Sequence, residues 1–321
     1  MAYIAKKFAS RLITFFIMIS VIFFLARSAG SDPFERYLSE DPRIPLDQIE
    51  RLRAKFGLDK PVHLQYFDFV SSTLQGEFGF SLYYHRPVFD IVMERLPKTI
   101  FLLSTSIIIS TIVSFVIGVY FAWKRGTKVD IWGTNIFMFV RSTPHFWLGM
   151  ILLIVFGYYY PIFPLFGFRS PGVNYANTFE YIRDILWHAT LPLTTLLIRQ
   201  IGMYVLYTRN SMVEVLGEDY MLTAKAKGVS ERAQMFKHAA RNALLPIVTV
   251  TALRFGFMVN GAILTETVFS YPGMGRLIYT AIMNDDFFLL QGSFFMISIT
   301  VLIANTLADI LCAFLDPRIK I

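Results

Sequence analysis

Residues 218–246 read EDYMLTAKAKGVSERAQMFKHAARNALLP, a polar and basic passage set between two long apolar runs. Lys225, Lys227, Arg232, Lys237 and Arg241 cluster in it, so it is not membrane-spanning, and the positive-inside rule puts it on the cytoplasmic side of whatever the flanking runs cross. Tyr220 to Lys227 is rich in helix formers. Gly228 is suited to a left-handed helix end, and Ser230 to the N-cap of a second helix. The pattern predicts a helix–glycine–helix knob. Thr223, Ala224 and Ala226 are small enough to let another surface approach the backbone, and the two lysines add steering charge.

Outward from this stretch, composition sets the class. The chain has 321 residues, of which 55% are hydrophobic and 17% charged, and its mean hydropathy is +0.52. That is more apolar surface than a soluble core of this size needs, so the chain reads as a polytopic membrane protein. Its net charge of +7 comes from short basic blocks beside apolar runs, the pattern of cytoplasmic loops, and nucleic acid is not an expected partner. Cys312 is the single cysteine, so neither an intrachain disulfide nor a cysteine metal cluster can form.

Six apolar runs are legible. Lys6, Lys7 and Arg11 precede the first, Leu12 to Ala26, which reads either as a signal-peptide core or as a retained span; the later long runs favour the span. Residues 31–97 follow, with eleven acidic residues against eight Lys and Arg, a balance suited to the outer face. Within them a helix is expected from Pro45, with Leu46, Ile49, Leu52 and Phe56 on one side and Gly57 closing it, and another from Val62 to Leu74. These amphipathic helices suit surface packing or contact with an outer protein.

The second span, Ile100 to Trp123, carries Ser106, Ser110, Ser114, Gly118 and Ala122 at every fourth position, a stripe of small residues expected to face another helix. Ile131 to Tyr160 is long for one span, and Pro144 predicts a break near STPHFWLG. Ile185 to Tyr207, interrupted by Pro192, forms the fourth, Leu244 to Phe269 the fifth and Gln291 to Phe314 the sixth. Basic blocks at residues 6–11, 124–128, 209–241 and 318–320 all fall inside if both termini are cytoplasmic.

Several phrases together resemble one family. Ala224 and Gly228 with their four-residue spacing look like the cytoplasmic EAA loop of binding-protein-dependent ABC import permeases. EDYMLTAKAKG, RNALLP, GEFGFSLYYHRPVFDIVMERLP, STPHFWLG, SYPGMGRL and the closing DPR phrase resemble the first permease subunit of the dipeptide/oligopeptide/nickel branch. Leu222 and Arg241 stand where the general EAA consensus has Glu and Pro. The resemblance implies an all-α membrane protein of the type I ABC importer permease fold, with six transmembrane helices and both termini cytoplasmic. It implies a first span and long outer segment over 1–97, then a five-helix core over 98–321 with a coupling loop at about 210–243. Glu218, Asp219, Tyr220, Thr223, Ala224, Lys225, Ala226, Lys227, Gly228 and Val229 would meet the ATPase. The implied partners are a second homologous permease, two ABC ATPase subunits carrying ATP and Mg, an extracytoplasmic solute-binding protein and the lipid bilayer. This chain itself would bind no cofactor or metal. Peptides lead as solute; nickel complexes and oligosaccharides are carried by similar permeases.

No phosphate loop, nucleophile elbow or H-E-x-x-H pair is present, and the five histidines show no ligand spacing, so the chain reads as a non-catalytic subunit. An ion-coupled secondary transporter would need titratable midplane groups. Instead the apolar runs carry Arg141, Arg199 and Arg254, with Glu266 near the end of the fifth. A central arginine costs about 2.5–3.5 kcal/mol on insertion scales, so it must face a partner, a cavity or a snorkelling route. Two roles stay open for Arg199, Arg254 and Glu266: lining a solute pathway, or bonding between helices. Asn305 and Asp309, a turn apart, suit a polar clasp.

Overall fold

The computed structural model describes residues 2–28, 50–51, 53–54, 57–256 and 262–315. Most of the helix expected from Pro45 to Phe56, and the closing basic block with Arg318 and Lys320, lie outside the described residues. Contacts divide the chain into two compact units, Met1–Thr99 with Gly273–Leu302, and Ile100–Pro272 with Ile303–Ile321.

The first unit begins with α1 (Ala2–Ser28), formed by the first apolar run, and continues through α2 (Val62–Leu74), whose bounds match the expected helix. Before α2, Gly57 adopts φ +66° while the Leu58 N–H donates to the Arg53 carbonyl at 2.9 Å, the left-handed helix end anticipated for this glycine. Aromatic packing joins α1 to α2. The Phe23 ring lies 5.4 Å from Tyr66 and 5.6 Å from Phe69, and the Ser20 and Tyr66 hydroxyls share a 2.7 Å hydrogen bond.

A two-residue hairpin follows, β1 (Phe80–Ser81) paired antiparallel with β2 (Arg86–Pro87). Asp286 fastens it. One carboxylate oxygen accepts from Ser81 Oγ at 2.5 Å and the Tyr83 N–H at 3.0 Å, and the other accepts from the Leu289 N–H at 3.1 Å. That last bond caps an apolar helix named below, so one buried acid closes the hairpin and starts a helix.

Among the described residues, three helices are long and apolar enough to cross a membrane: α3 (Val88–Trp123), α6 (Thr178–Leu216) and the stretch Phe287–Ile310 of the last helix. A fourth span arises if α4 (Lys128–Ser142) and α5 (His145–Leu153), extended by a π-helical turn at Ile154–Tyr159, are counted together. The two pieces meet at 92°, and Pro144 sits at the break with extended backbone, as the residue before α5 where its missing N–H costs no helix bond. Pro97 and Pro192, by contrast, lie inside unbroken helices. Helix α3 also starts twelve residues before the expected Ile100.

Asn177 begins α6 by accepting the Glu180 N–H at 2.9 Å, while the Glu180 carboxylate accepts the Ala176 N–H at 3.1 Å, a reciprocal cap. Helices α7 (Asp219–Ala226), α8 (Glu231–Ala233), a π-helical turn (Gln234–Ala240) and α9 (Arg241–Gly256) follow. The expected fifth span falls on α9 and α10 (Ala262–Val268). Two more helices, α11 (Met274–Met283) and α12 (Phe287–Leu315), complete the described chain.

The second unit's core gathers Leu102, Leu103 and Ile107 of α3, Ala189, Leu191, Leu193 and Leu196 of α6, and Phe269 and Tyr271. Beside it the small-residue stripe of α3 meets α6. Ser106, Ser110 and Ser114 are fully buried and Ala122 nearly so. Gln200 of α6 donates from Nε2 to Ser106 Oγ at 3.1 Å and accepts from Ser110 Oγ at 2.9 Å, and Ser114 Oγ donates to the Ile201 carbonyl at 3.3 Å. At Gly118 a Cβ would fall 2.5 Å from Thr208 Cβ and 2.9 Å from the Val205 carbonyl oxygen. Small residues here let two helix backbones approach and exchange side-chain hydrogen bonds in place of water.

Candidate functional site

The knob at 218–246 is built from local rules. Helix α7 ends in a left-handed glycine: Gly228 has φ +71°, its N–H donates to the Lys225 carbonyl at 3.0 Å, and the Val229 N–H donates to the Ala224 carbonyl at 3.2 Å. This paired closure satisfies two carbonyls that a helix terminus otherwise leaves open. Ser230 occupies the N-cap position of α8 without a capping bond from its side chain. Gln234 ties this end to the preceding turn instead, its Nε2 donating to the Val229 carbonyl at 2.6 Å.

The knob has an inner and an outer face. Met221 is 5% exposed and packs with Val119 and Ala122 of α3, Met212 of α6, Ala239 and Ala240 of the π-helical turn, and Ala243 of α9. Ala224, one turn on, is 7% exposed. The structure therefore turns Ala224 toward the chain's own interior. Glu218, Asp219, Thr223, Lys225, Ala226, Lys227 and Gly228 are exposed and Val229 half-buried. Tyr220 is exposed, and its hydroxyl accepts from Asn242 Nδ2 at 2.7 Å, tying α7 to α9.

Two outward apolar residues were not singled out from sequence: Leu222, 64% exposed, and Phe236, 53% exposed. Leu222 and Ala226 are spaced i, i+4, so they share a side of α7 opposite Met221 and Ala224, which are spaced i, i+3. The signal was present in that doubled spacing. It becomes readable only once Met221 is known to point inward.

Arg209, two turns before the knob, makes a bidentate pair with Asp130 at the start of α4. Its Nε lies 2.5 Å from Oδ1 and its Nη2 2.8 Å from Oδ2. Asp130 is 2% exposed and also accepts from the Gly126 N–H at 3.0 Å and Thr134 Oγ1 at 3.3 Å. A buried carboxylate with this many donors is a fixed hinge pin, and the fork geometry needs arginine rather than lysine.

The intramembrane charges are placed differently from one another. Arg199 on α6 is exposed and, among the described residues, makes no hydrogen bond or ion pair. Arg254 on α9 is half-buried, meets Met203 Sδ and stands 5.8 Å over the Tyr204 ring, a cation–π arrangement. Glu266 on α10 has no exposed surface, and its backbone carbonyl accepts the Tyr271 N–H at 2.8 Å. The structure thus does not bring Glu266 to a surface with the two arginines. Among the described residues no cluster of three or more His, Cys, Asp or Glu could hold a metal.

Comparison with known proteins agrees with this arrangement. Residues 114–321 match the model of the family described as "Binding-protein-dependent transport system inner membrane component", and residues 1–103 match the corresponding N-terminal family. The oligopeptide transport system permease protein AppB of Bacillus subtilis (strain 168) is 34% identical over 300 residues, covering 93% of this chain and 92% of the relative. A probable peptide ABC transporter permease protein, y4tP, of Sinorhizobium fredii is 35% identical over 318 residues, covering 99% of each. The glutathione transport system permease protein GsiC of Escherichia coli (strain K12) is 33% identical over 318 residues, covering 99% of this chain and 98% of the relative. With a helical fold, apolar helices of membrane-crossing length and matches over nearly its whole length, the chain belongs to the inner-membrane components of binding-protein-dependent ABC transport systems.

Proposed function

We propose that this chain is a translocation-pathway subunit of an ATP-driven importer, paired with a second homologous permease and served by two ABC ATPases and an extracytoplasmic solute-binding protein. Peptides are the proposed solute class, from the names of the oligopeptide, peptide and glutathione relatives. In this reading α1, α3, the broken α4/α5 pair, α6, α9 with α10, and α12 make six crossings of a type I ABC importer permease fold, with both termini cytoplasmic. Residues 1–97 supply the first span and outer segment, and 98–321 the five-helix core. The chain catalyses no reaction and binds no metal, cofactor or nucleic acid of its own, since ATP and Mg sit on the ATPases.

The observation that carries the proposal is the construction of the knob. Met221 and Ala224 anchor its inner face to the ends of helices that run on into apolar spans, while Leu222, Thr223, Lys225, Ala226 and Lys227 are presented outward. A partner that pushes on the outer face therefore moves several spans as one body. Two variants test the loop. Gly228→Leu meets no steric obstacle, because nothing lies within 4 Å of a Cβ there, but forces an L side chain into the left-handed region at a cost of roughly 1–2 kcal/mol. Leu222→Asp leaves the fold untouched and places a charge on the docking face. Both are expected to insert normally, to keep a reporter at residue 225 on the cytoplasmic side, and to lose peptide uptake by the reconstituted complex. Normal uptake and binding-protein-stimulated ATP hydrolysis in both variants refutes a docking role, and an outside signal at residue 225 refutes the topology.

Arg199 and Arg254 are proposed to face the solute pathway and to favour solutes with negative charge. The exposure of Arg199 and the one-sided support of Arg254 by Met203 and Tyr204 leave guanidinium surface for a solute or water. Arg199→Gln and Arg254→Gln are expected to assemble and to shift the uptake ratio of anionic to neutral peptides down by about tenfold, the equivalent of roughly 1.4 kcal/mol. Assembled variants with an unchanged ratio assign both arginines to helix–helix packing.

A further inference from the structure

Within the first unit, a cavity of about 340 Å³ opens beside Phe23, Phe69, Phe78, Asp68, Glu77 and Gln291. Its size falls in the range of small-ligand sites, roughly 300–1,000 Å³. Gln291 is 4% exposed, and its Nε2 is buried with no hydrogen-bond partner. Buried amides are almost always satisfied, so an orphaned donor lining a cavity points to an acceptor supplied from outside the chain. Two acids, Asp68 and Glu77, line the same cavity. Glu77 is exposed and makes no ion pair among the described residues, and Asp68 holds only a surface pair with Lys60, both side chains about half exposed. Phe23, Phe69 and Phe78 line it as well, and aromatic rings attract ammonium groups.

The position narrows the occupant. The cavity sits at the C-terminal end of the apolar helix α1, through Phe23, and near the N-terminal end of the span candidate Phe287–Ile310, through Gln291. These are helix ends where a bilayer's head groups begin. From there Phe24, Val21, Ile17 and Ile13 run back along one side of α1 with 54%, 48%, 57% and 60% exposure, an apolar track for an acyl chain.

We infer that the cavity holds the head group of a zwitterionic phospholipid bearing a primary amine, of the phosphatidylethanolamine class. A phosphate or ester oxygen accepts from Gln291 Nε2, and the ammonium donates to Glu77 and Asp68 against the Phe69 and Phe78 rings. A choline head group lacks the N–H donors for Glu77, and a glycerol head group lacks the cation. This inference does not depend on the solute or on the coupling loop.

The test uses the intact transport complex in detergent, supplied with phosphatidylethanolamine, phosphatidylcholine or phosphatidylglycerol of identical chains, with bound lipid counted by native mass spectrometry. Phosphatidylethanolamine is expected to be retained at least about tenfold over the other two. Gln291→Leu is expected to lose retention of phosphatidylethanolamine while keeping or raising the unfolding midpoint in lipid-free detergent, because it removes an unpaired buried donor. Glu77→Gln, a change on the exposed rim, is expected to abolish discrimination between the ethanolamine and choline lipids. Equal retention of the three lipids overturns the inference, as does a preference that survives both substitutions. Glycerophosphoethanolamine without acyl chains, if bound as tightly as the lipid, makes the occupant a free solute and overturns the lipid assignment.

Discussion

Replacing Gly118 with leucine is expected to remove nearly all folded protein from the membrane fraction. The first carbon of the new side chain would lie 2.5 Å from Thr208 Cβ, 2.8 Å from Thr208 Cγ2 and 2.9 Å from the Val205 carbonyl oxygen. Threonine can rotate, but the carbonyl belongs to the backbone of α6 and moves only if the helix moves. Overpacking typically costs 1–3 kcal/mol and occasionally more; with backbone on one side, about 3 kcal/mol or more is expected here. The loss spreads along the seam, because separating α3 from α6 also breaks the bonds of Ser106, Ser110 and Ser114 to Gln200 and Ile201. Gly118→Ala with Thr208→Ala should recover part of the yield by relieving one of the two obstacles. The measurement is the amount of monodisperse protein extracted in mild detergent, and wild-type yield from Gly118→Leu would show that α3 and α6 are not in close contact there.

Asp130→Ala is expected to be the next most damaging single change. It strips Arg209 of its bidentate partner and leaves the Gly126 N–H and Thr134 hydroxyl without their acceptor. Breaking a buried pair by removing one member costs about 3–5 kcal/mol; the low end applies because the Arg209 side chain keeps 22% of its surface exposed. Arg209→Lys should cost less but still lower the unfolding midpoint, since an ammonium cannot make both bonds in the fork. The double replacement Asp130→Leu with Arg209→Met removes both charges and should be milder than Asp130→Ala alone. A double-replacement midpoint at or below that of Asp130→Ala would mean that Asp130 acts through its loop contacts rather than through Arg209.

The sites differ in how much of them was legible in sequence, and the difference follows from range. Pro144 marked a weak point for a local reason, because its missing N–H removes a bond from any helix that contains it, and a 92° break stands there, whereas Pro97 and Pro192 are carried inside unbroken helices. Gly228 permits the left-handed turn for an equally local reason. The residues that required the tertiary structure depend on partners far away in sequence. Asp130 and Arg209 are 79 positions apart, and Arg209 alone reads as one more inside-facing cation. Leu222 stands where a glutamate occurs in the general consensus of the resembling loop, so it reads as a departure until the packing of Met221 shows it to be the outward side.

The sequence by itself determined what periodicity and backbone chemistry control: apolar runs long enough to cross a membrane, a basic helix–glycine–helix knob, a stripe of small residues on α3, and a weak point at Pro144. The tertiary structure decided which way each side chain turns. It buried Ala224 and Glu266, which looked free to meet a partner or a solute, exposed Leu222 and Phe236, and left Gln291 facing a cavity without a mate. The physical reason is that helical spacing states which residues share a face, whereas burial of that face is settled by whichever helix packs against it.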